Sequence, residues 1–83
     1  MRSRSRARNR VHWAPGQPLP ARANRPTAAA IVTFHYFPVS YRTLEAWPLL
    51  WVVTNGEATA PVPDILAEAE RRLAADLARA AHI

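Results

Sequence analysis

The residues with the clearest chemical potential lie at positions 40–46, where the sequence reads SYRTLEA. Ser40 is a good helix N-cap, and Pro48 ends the following helix because proline disfavours helical geometry in the residue before it. This pattern predicts a short helix over residues 41 to 46 or 47. At about 100° per residue, Leu44 and Trp47 share a packing face with Ser40. The opposite face is left to present polar side chains.

The presented side chains have the chemistry that reads DNA. Arg42, in the first turn, can pair bidentately with guanine, although a solvated surface arginine is the alternative. Glu45 can accept from cytosine N4, but we favour a role in orienting Arg42. Tyr41 and Thr43 suit phosphate contacts, with partial core packing equally expected for Tyr41, and Ala46 permits close approach to a thymine methyl. The predicted DNA-binding set of this helix is Ser40, Tyr41, Arg42, Thr43, Glu45 and Ala46.

Other chemistries find no support in the chain. It has no cysteine, and its three histidines, His12, His35 and His82, have no metal-ligand spacing. Gly16 and Gly56 are the only glycines, too few for a phosphate-cradling loop. We therefore expect a protein that is not an enzyme, with no cofactor, metal or small-molecule substrate.

Positive charge is concentrated at the start of the chain. Residues 1–25 hold seven arginines and no acid, whereas the remainder holds four arginines against six acids. We therefore predict that residues 1–26 form an extended, disordered arm that packs no core, because they contain prolines and alternating charges and no apolar pattern. The arm arginines predicted to contact DNA are Arg2, Arg4, Arg6, Arg8 and Arg10. Nonspecific phosphate neutralisation is the favoured interpretation, and minor-groove insertion the alternative.

The remaining elements follow from local patterns. Thr27 is predicted to cap a helix from Ala28, although β-branched and aromatic residues over 28–37 favour a strand by propensity alone. A strand over residues 49–54 leads into Asn55-Gly56, the strongest short signal for a type I′ hairpin. Residues 57–60 can pair back as its second strand.

A last helix is predicted over residues 64–81, with an apolar stripe at helical spacing. Its members are Ile65, Leu66, Ala69, Leu73, Leu77 and Ala80. We expect this stripe to close the core over Leu44 and Trp47. Glu68 lies outside it and is spaced for an i,i+4 pair with Arg72.

The order of these elements resembles small MerR-like and excisionase-type winged helix-turn-helix proteins. In that family an apolar helix ends in a Gly-Val-Ser-like turn, and an Arg-Thr-Leu-x-x-Trp helix, a Pro-Leu step, a wing and a last helix follow. The resemblance covers roughly residues 28–75. The matching residues are Phe37, Val39, Ser40, Arg42, Thr43, Leu44, Trp47, Pro48 and Leu49. Pro38 departs from the family by standing where glycine is usual.

The resemblance implies an α+β fold with a disordered arm at 1–26 and a winged helix-turn-helix domain at 27–83. With it, residues 28–37 are predicted to be helical. It also implies DNA contacts from the wing at Asn55 and Gly56, although this wing carries no arginine. The implied function is that of an excisionase, which binds and bends attachment-site DNA so that an integrase favours excision. A small transcriptional regulator of the same fold is one alternative, and a ribosome- or capsid-associated structural protein is another.

Further expectations concern partners and location. The predicted partners are double-stranded DNA, a site-specific integrase and neighbouring copies of the chain, which assemble cooperatively on DNA. A free dimer is not expected, because the last helix is predicted to use its apolar stripe within the domain. No apolar run approaches the ~20 residues of a membrane span, and a nucleoid-associated, cytoplasmic protein is expected.

Overall fold

The computed structural model describes residues 10–81. In chain order they form β1 (Arg22–Asn24), α1 (Arg25–His35), α2 (Tyr41–Glu45), β2 (Val52–Thr54), β3 (Glu57–Pro61) and α3 (Val62–Ala81). The strands make an antiparallel sheet in the order β1-β3-β2. The α+β prediction is confirmed, and the arrangement is compatible with a small winged-helix-like domain. The predicted contacts of Arg2, Arg4, Arg6 and Arg8 lie outside the described residues.

The β2–β3 hairpin has the predicted two-residue turn. Val52 pairs with Thr59 and Thr54 pairs with Glu57, so only Asn55 and Gly56 lie between the strands. Asn55 has φ 54° and Gly56 has φ 80°. A type I′ turn requires positive φ at both central positions, which asparagine and glycine tolerate best. The hairpin prediction is confirmed, but β2 begins at Val52, three residues later than the predicted strand.

The first helix is capped three residues earlier than predicted. The Asn24 side-chain oxygen accepts from the Thr27 backbone N–H at 2.8 Å, and Pro26 lies in the first turn, where its missing N–H is not needed. Thr27 is instead a buried first-turn residue whose hydroxyl accepts from the His12 N–H at 2.8 Å. The helical assignment of residues 28–37 is confirmed as far as His35.

The prediction that residues 1–26 pack no core is wrong for part of that range. Trp13 is only 7% exposed, lies edge-on to Phe34 with ring centroids 5.7 Å apart, and donates from its indole nitrogen to the Gln17 carbonyl. Ala23 is buried because β1 pairs with β3. A single large aromatic residue and a three-residue strand leave no periodic signal, so composition alone suggested an arm.

The second helix agrees with its sequence pattern. The Ser40 hydroxyl caps it by accepting from the Thr43 N–H at 3.3 Å, and regular helix ends at Glu45 before Pro48. Leu44 is fully buried and Trp47 is 4% exposed. These two side chains anchor α2 to the core and leave the rest of its surface in solvent.

The last helix extends beyond the domain core. It begins at Val62, two residues before the predicted start, with Pro63 in its first turn. Ile65 and Ala69 are buried, but Leu77 is 62% exposed and every described residue from Ala74 onward is exposed. The prediction that the whole apolar stripe closes the core is therefore wrong for its C-terminal half, because α3 is longer than the core that it covers.

We predict that Trp13→Ala lowers the free energy of unfolding by about 2–4 kcal/mol, because it removes a buried aromatic side chain. Val11→Ala is the control, since Val11 is 51% exposed and the change should stay within about 0.5 kcal/mol. Urea unfolding followed by circular dichroism measures both. Equal stability of the two variants would contradict the packing of Trp13.

Candidate nucleic-acid interface

The exposed face of α2 holds every residue predicted there to bind DNA. Tyr41 is 46% exposed, and Arg42, Thr43, Glu45 and Ala46 are also exposed. The Ser40 hydroxyl is exposed but engaged as the helix cap, and it lies 3.2 Å from the Thr43 hydroxyl. Ser40 therefore positions the helix, whereas the exposed Arg42 side chain is available to a ligand.

The turn into α2 is held by a residue that the sequence analysis did not single out. The Thr33 hydroxyl accepts from the Val39 N–H at 3.1 Å and donates to the Val39 carbonyl at 3.2 Å. This pair of hydrogen bonds fixes the backbone just before Ser40. A side chain in the last turns of α1 thus secures the turn that contains Pro38.

One groove, the hairpin-side groove, separates α2 from the β2–β3 hairpin. It has a volume of about 300 Å³, and Arg25, Tyr41, Glu45 and Glu57 are among its lining residues. The Arg25 Nε lies 3.7 Å from a Glu45 carboxylate oxygen, and its guanidinium lies 5.3 Å from the centroid of the Trp51 ring. With two carboxylates against one arginine, the charged residues of this groove carry a net negative charge.

The pairing of Glu45 corrects a prediction. Glu45 was expected to orient Arg42, but its ion pair is with Arg25. Arg42 has no ion pair with any residue between 10 and 81. Composition places Arg25 in the basic N-terminal range, and only the tertiary fold brings the N-terminus of α1 beside α2.

The described N-terminal segment begins next to this groove. The Asn24 amide donates to the Arg10 carbonyl at 3.0 Å and to the Glu57 carboxylate at 2.8 Å, and His12 Nε2 lies 3.6 Å from the same carboxylate. Arg10 is therefore held beside the first residue of β3, close to the tip of the hairpin.

A second groove, the helix-side groove, lies between α2 and α3. Its volume is about 310 Å³, and it is lined by Phe37, Thr43, Trp47, Arg72, Ala75, Asp76 and Arg79. The Arg72 guanidinium lies 4.8 Å from the centroid of the Trp47 ring and donates to Glu68 at 2.8 Å. Arg79 pairs with Asp76. Two arginines against one carboxylate give the charged residues of this groove a net positive charge.

Glu68 organises the arginines of α3 from a buried position. The predicted Glu68–Arg72 pair is confirmed, and Arg71 binds the other carboxylate oxygen. Glu68 is only 6% exposed, which its position outside the apolar stripe did not indicate. The hydrogen bond from Arg71 is the main cause that lowers the pKa of Glu68, with Arg72 adding to it against the opposing effect of burial.

Among residues 10–81, no group of three or more acidic or histidine side chains has metal-binding geometry. No helix in the same range is both long and apolar enough to cross a membrane. Comparison with protein-family models, with curated proteins and with solved structures gives no significant match for this chain.

We predict that Glu68→Gln lowers the free energy of unfolding by about 1–2 kcal/mol at pH 7, because it removes charge-assisted hydrogen bonds to two arginines. Because the pKa of Glu68 is lowered in the folded state, the carboxylate contributes its full stabilisation at pH values above the ordinary pKa of 4.5. The stabilisation is lost as the pH falls through the lowered pKa. The gap between wild type and variant should therefore close in strongly acidic solution.

Denaturant titrations from pH 7 to 3 measure this gap. Asp76→Asn is the control, since its ion pair with Arg79 is largely exposed and worth at most about 1 kcal/mol. A gap for Glu68→Gln that is the same at every pH would contradict the ionised role of Glu68.

Proposed function

We propose that this protein binds double-stranded DNA as a small winged helix-turn-helix domain, with α2 as the recognition helix. The observation that carries the proposal is that Arg42 has no ion-pair partner among the described residues. It is an exposed arginine in the first turn of α2, and none of the described carboxylates pairs with it. An arginine so placed keeps its full charge and donor set for a base edge or phosphate.

The construction of α2 supports the same proposal. Leu44 and Trp47 fix the helix to the core, Ser40 caps it, and Thr33 holds the preceding turn. Base readout needs a reader held by rigid supports, because loosely positioned donors cannot discriminate between base edges. A five-residue helix needs such anchors more than a long one does.

In this proposal the β2–β3 hairpin is the wing, with Asn55 and Gly56 at its exposed tip. It offers backbone and amide groups but no cation. The proposed cations are those of the arm, whose described residue Arg10 is held beside Glu57 at the start of β3. We propose that Arg2, Arg4, Arg6 and Arg8 neutralise phosphates without reading sequence.

The biological role follows from the resemblance. We assign the protein the role of an excisionase that bends attachment-site DNA in concert with an integrase at the nucleoid. One short reader helix contacts few base pairs, so specificity then requires several copies side by side. Head-to-tail contacts between copies would supply both cooperativity and progressive bending.

A DNA-binding assay on the sequences that flank the gene tests this function. Gel shifts with scrambled competitor DNA of equal length separate sequence-specific from nonspecific binding. A protected site with repeated half-sites supports the excisionase, and a single symmetric site favours a transcriptional regulator. Equal binding to all competitors would favour a structural nucleic-acid-binding protein that works through its arginines.

We predict that Arg42→Ala lowers affinity for the specific site by about 1–3 kcal/mol and leaves the thermal unfolding curve unchanged. Arg42→Lys is the matched variant, because it keeps the charge but loses the planar donor fork. Specific affinity should fall in both, whereas nonspecific affinity should fall only in the alanine variant. Normal specific binding by Arg42→Ala would remove Arg42 from the reader role.

We predict that deletion of residues 2–9 weakens specific and nonspecific binding by similar factors. The loss of Arg2, Arg4, Arg6 and Arg8 should reduce the slope of log affinity against log salt by up to about 3–4. Salt titrations on intact and truncated protein measure it. Identical slopes would show that these arginines do not contact phosphate, and selective loss on A·T-rich DNA would show minor-groove insertion.

A further inference from the structure

The two grooves that flank α2 differ in charge. The charged residues of the hairpin-side groove are Arg25, Glu45 and Glu57, whereas those of the helix-side groove are Arg72, Asp76 and Arg79. The charged residues that line the two grooves therefore favour a phosphodiester in the second groove over the first. This asymmetry could not be predicted from sequence, because the residues that create it come from α1, α2, β3 and α3.

We infer that the helix-side groove is a phosphate-binding site that grips the DNA backbone beside α2, with Arg79 and Arg72 as its cationic ligands. The inference rests on the proposed function and adds to it a contact region on α3 that the resemblance did not provide. The ligand class is a phosphodiester of the DNA strand next to the bases that Arg42 meets.

The donors of this groove are numerous and differ in how firmly they are held. Arg72 is fixed by its stack on Trp47 and its bond to Glu68, so its guanidinium is preorganised. Thr43 adds a hydroxyl from α2 itself. Trp47 lines the groove and is 4% exposed, and its ring supports the Arg72 guanidinium. A groove with these donors and one carboxylate matches a phosphate better than a cation.

Arg79 is the adjustable member of the site. Its side chain is 75% exposed and paired with Asp76, whose side chain is 62% exposed. An exposed ion pair of this kind is held weakly, so a phosphodiester, whose single negative charge is shared by two oxygens, can compete with the Asp76 carboxylate. The exposed end of α3 therefore places a cation where the backbone of DNA on α2 would pass.

Arg71 provides an internal control for this geometry. It lies on the same helix and binds the same Glu68, but it lines a separate cavity with Tyr36 and Leu77. Removal of Arg71 or of Arg79 changes the net charge of the protein equally. A difference in salt dependence between the two variants would therefore indicate a local phosphate contact and not an effect of net charge.

The test compares Arg79→Gln with Arg71→Gln in salt titrations of binding to the specific DNA site, with the full chain. We expect Arg79→Gln to weaken binding about 3–10-fold and to lower the salt slope by about 1, the loss of one phosphate contact. Arg71→Gln should leave the slope unchanged. Asp76→Asn should tighten binding, because it removes the competing carboxylate.

The outcomes separate this inference from the proposed function. Sequence-specific binding with the same slope and affinity for Arg79→Gln and Arg71→Gln would overturn the phosphate site alone. No binding of the intact protein to any DNA would overturn the proposed function and the site together. Thermal unfolding of each variant checks that the fold is retained. If Arg71→Gln loses stability, the affinity of Asp76→Asn for DNA tests the site instead, because this variant is expected to bind more tightly.

Discussion

The buried amide of Asn24 joins the parts of the chain on which the rest of the structure depends. Its oxygen caps α1, while its nitrogen binds the Arg10 carbonyl and the Glu57 carboxylate. One 4% exposed side chain thereby fixes the start of a helix, the N-terminal segment and the first residue of β3. In a chain this short, apolar burial alone gives a marginal core, so a shared polar junction has a large structural effect.

Local signals in the sequence predicted the elements around α2 well. Ser40, Pro48 and the Asn55-Gly56 pair act on the backbone within a few residues of themselves, so their effects depend little on tertiary context. Leu44 and Trp47 were also assigned correctly to the core, because their spacing on a helix with a known start leaves one face for packing.

Other features could not be predicted because they depend on residues far apart in the chain. The burial of Trp13 requires α1 beneath it, and the Arg25–Glu45 pair requires α1 to meet α2. Glu68 looked like a solvent-facing residue by periodicity, yet it is buried beneath two arginines. In the candidate interface, sequence identified the exposed residues of α2 but not the charges that flank them.

The protruding end of α3 has a consequence for how its helical form is maintained. From Ala74 to Ala81 no described residue is buried, so tertiary packing contributes little there. Five of these eight residues are alanine, the residue with the highest intrinsic helix propensity. The alanine-rich composition of this segment, and not burial, therefore keeps it helical. The free energy of local unfolding should therefore decrease toward the end of α3. A ligand bound at Arg79 must order these two turns, and the loss of conformational entropy reduces its affinity.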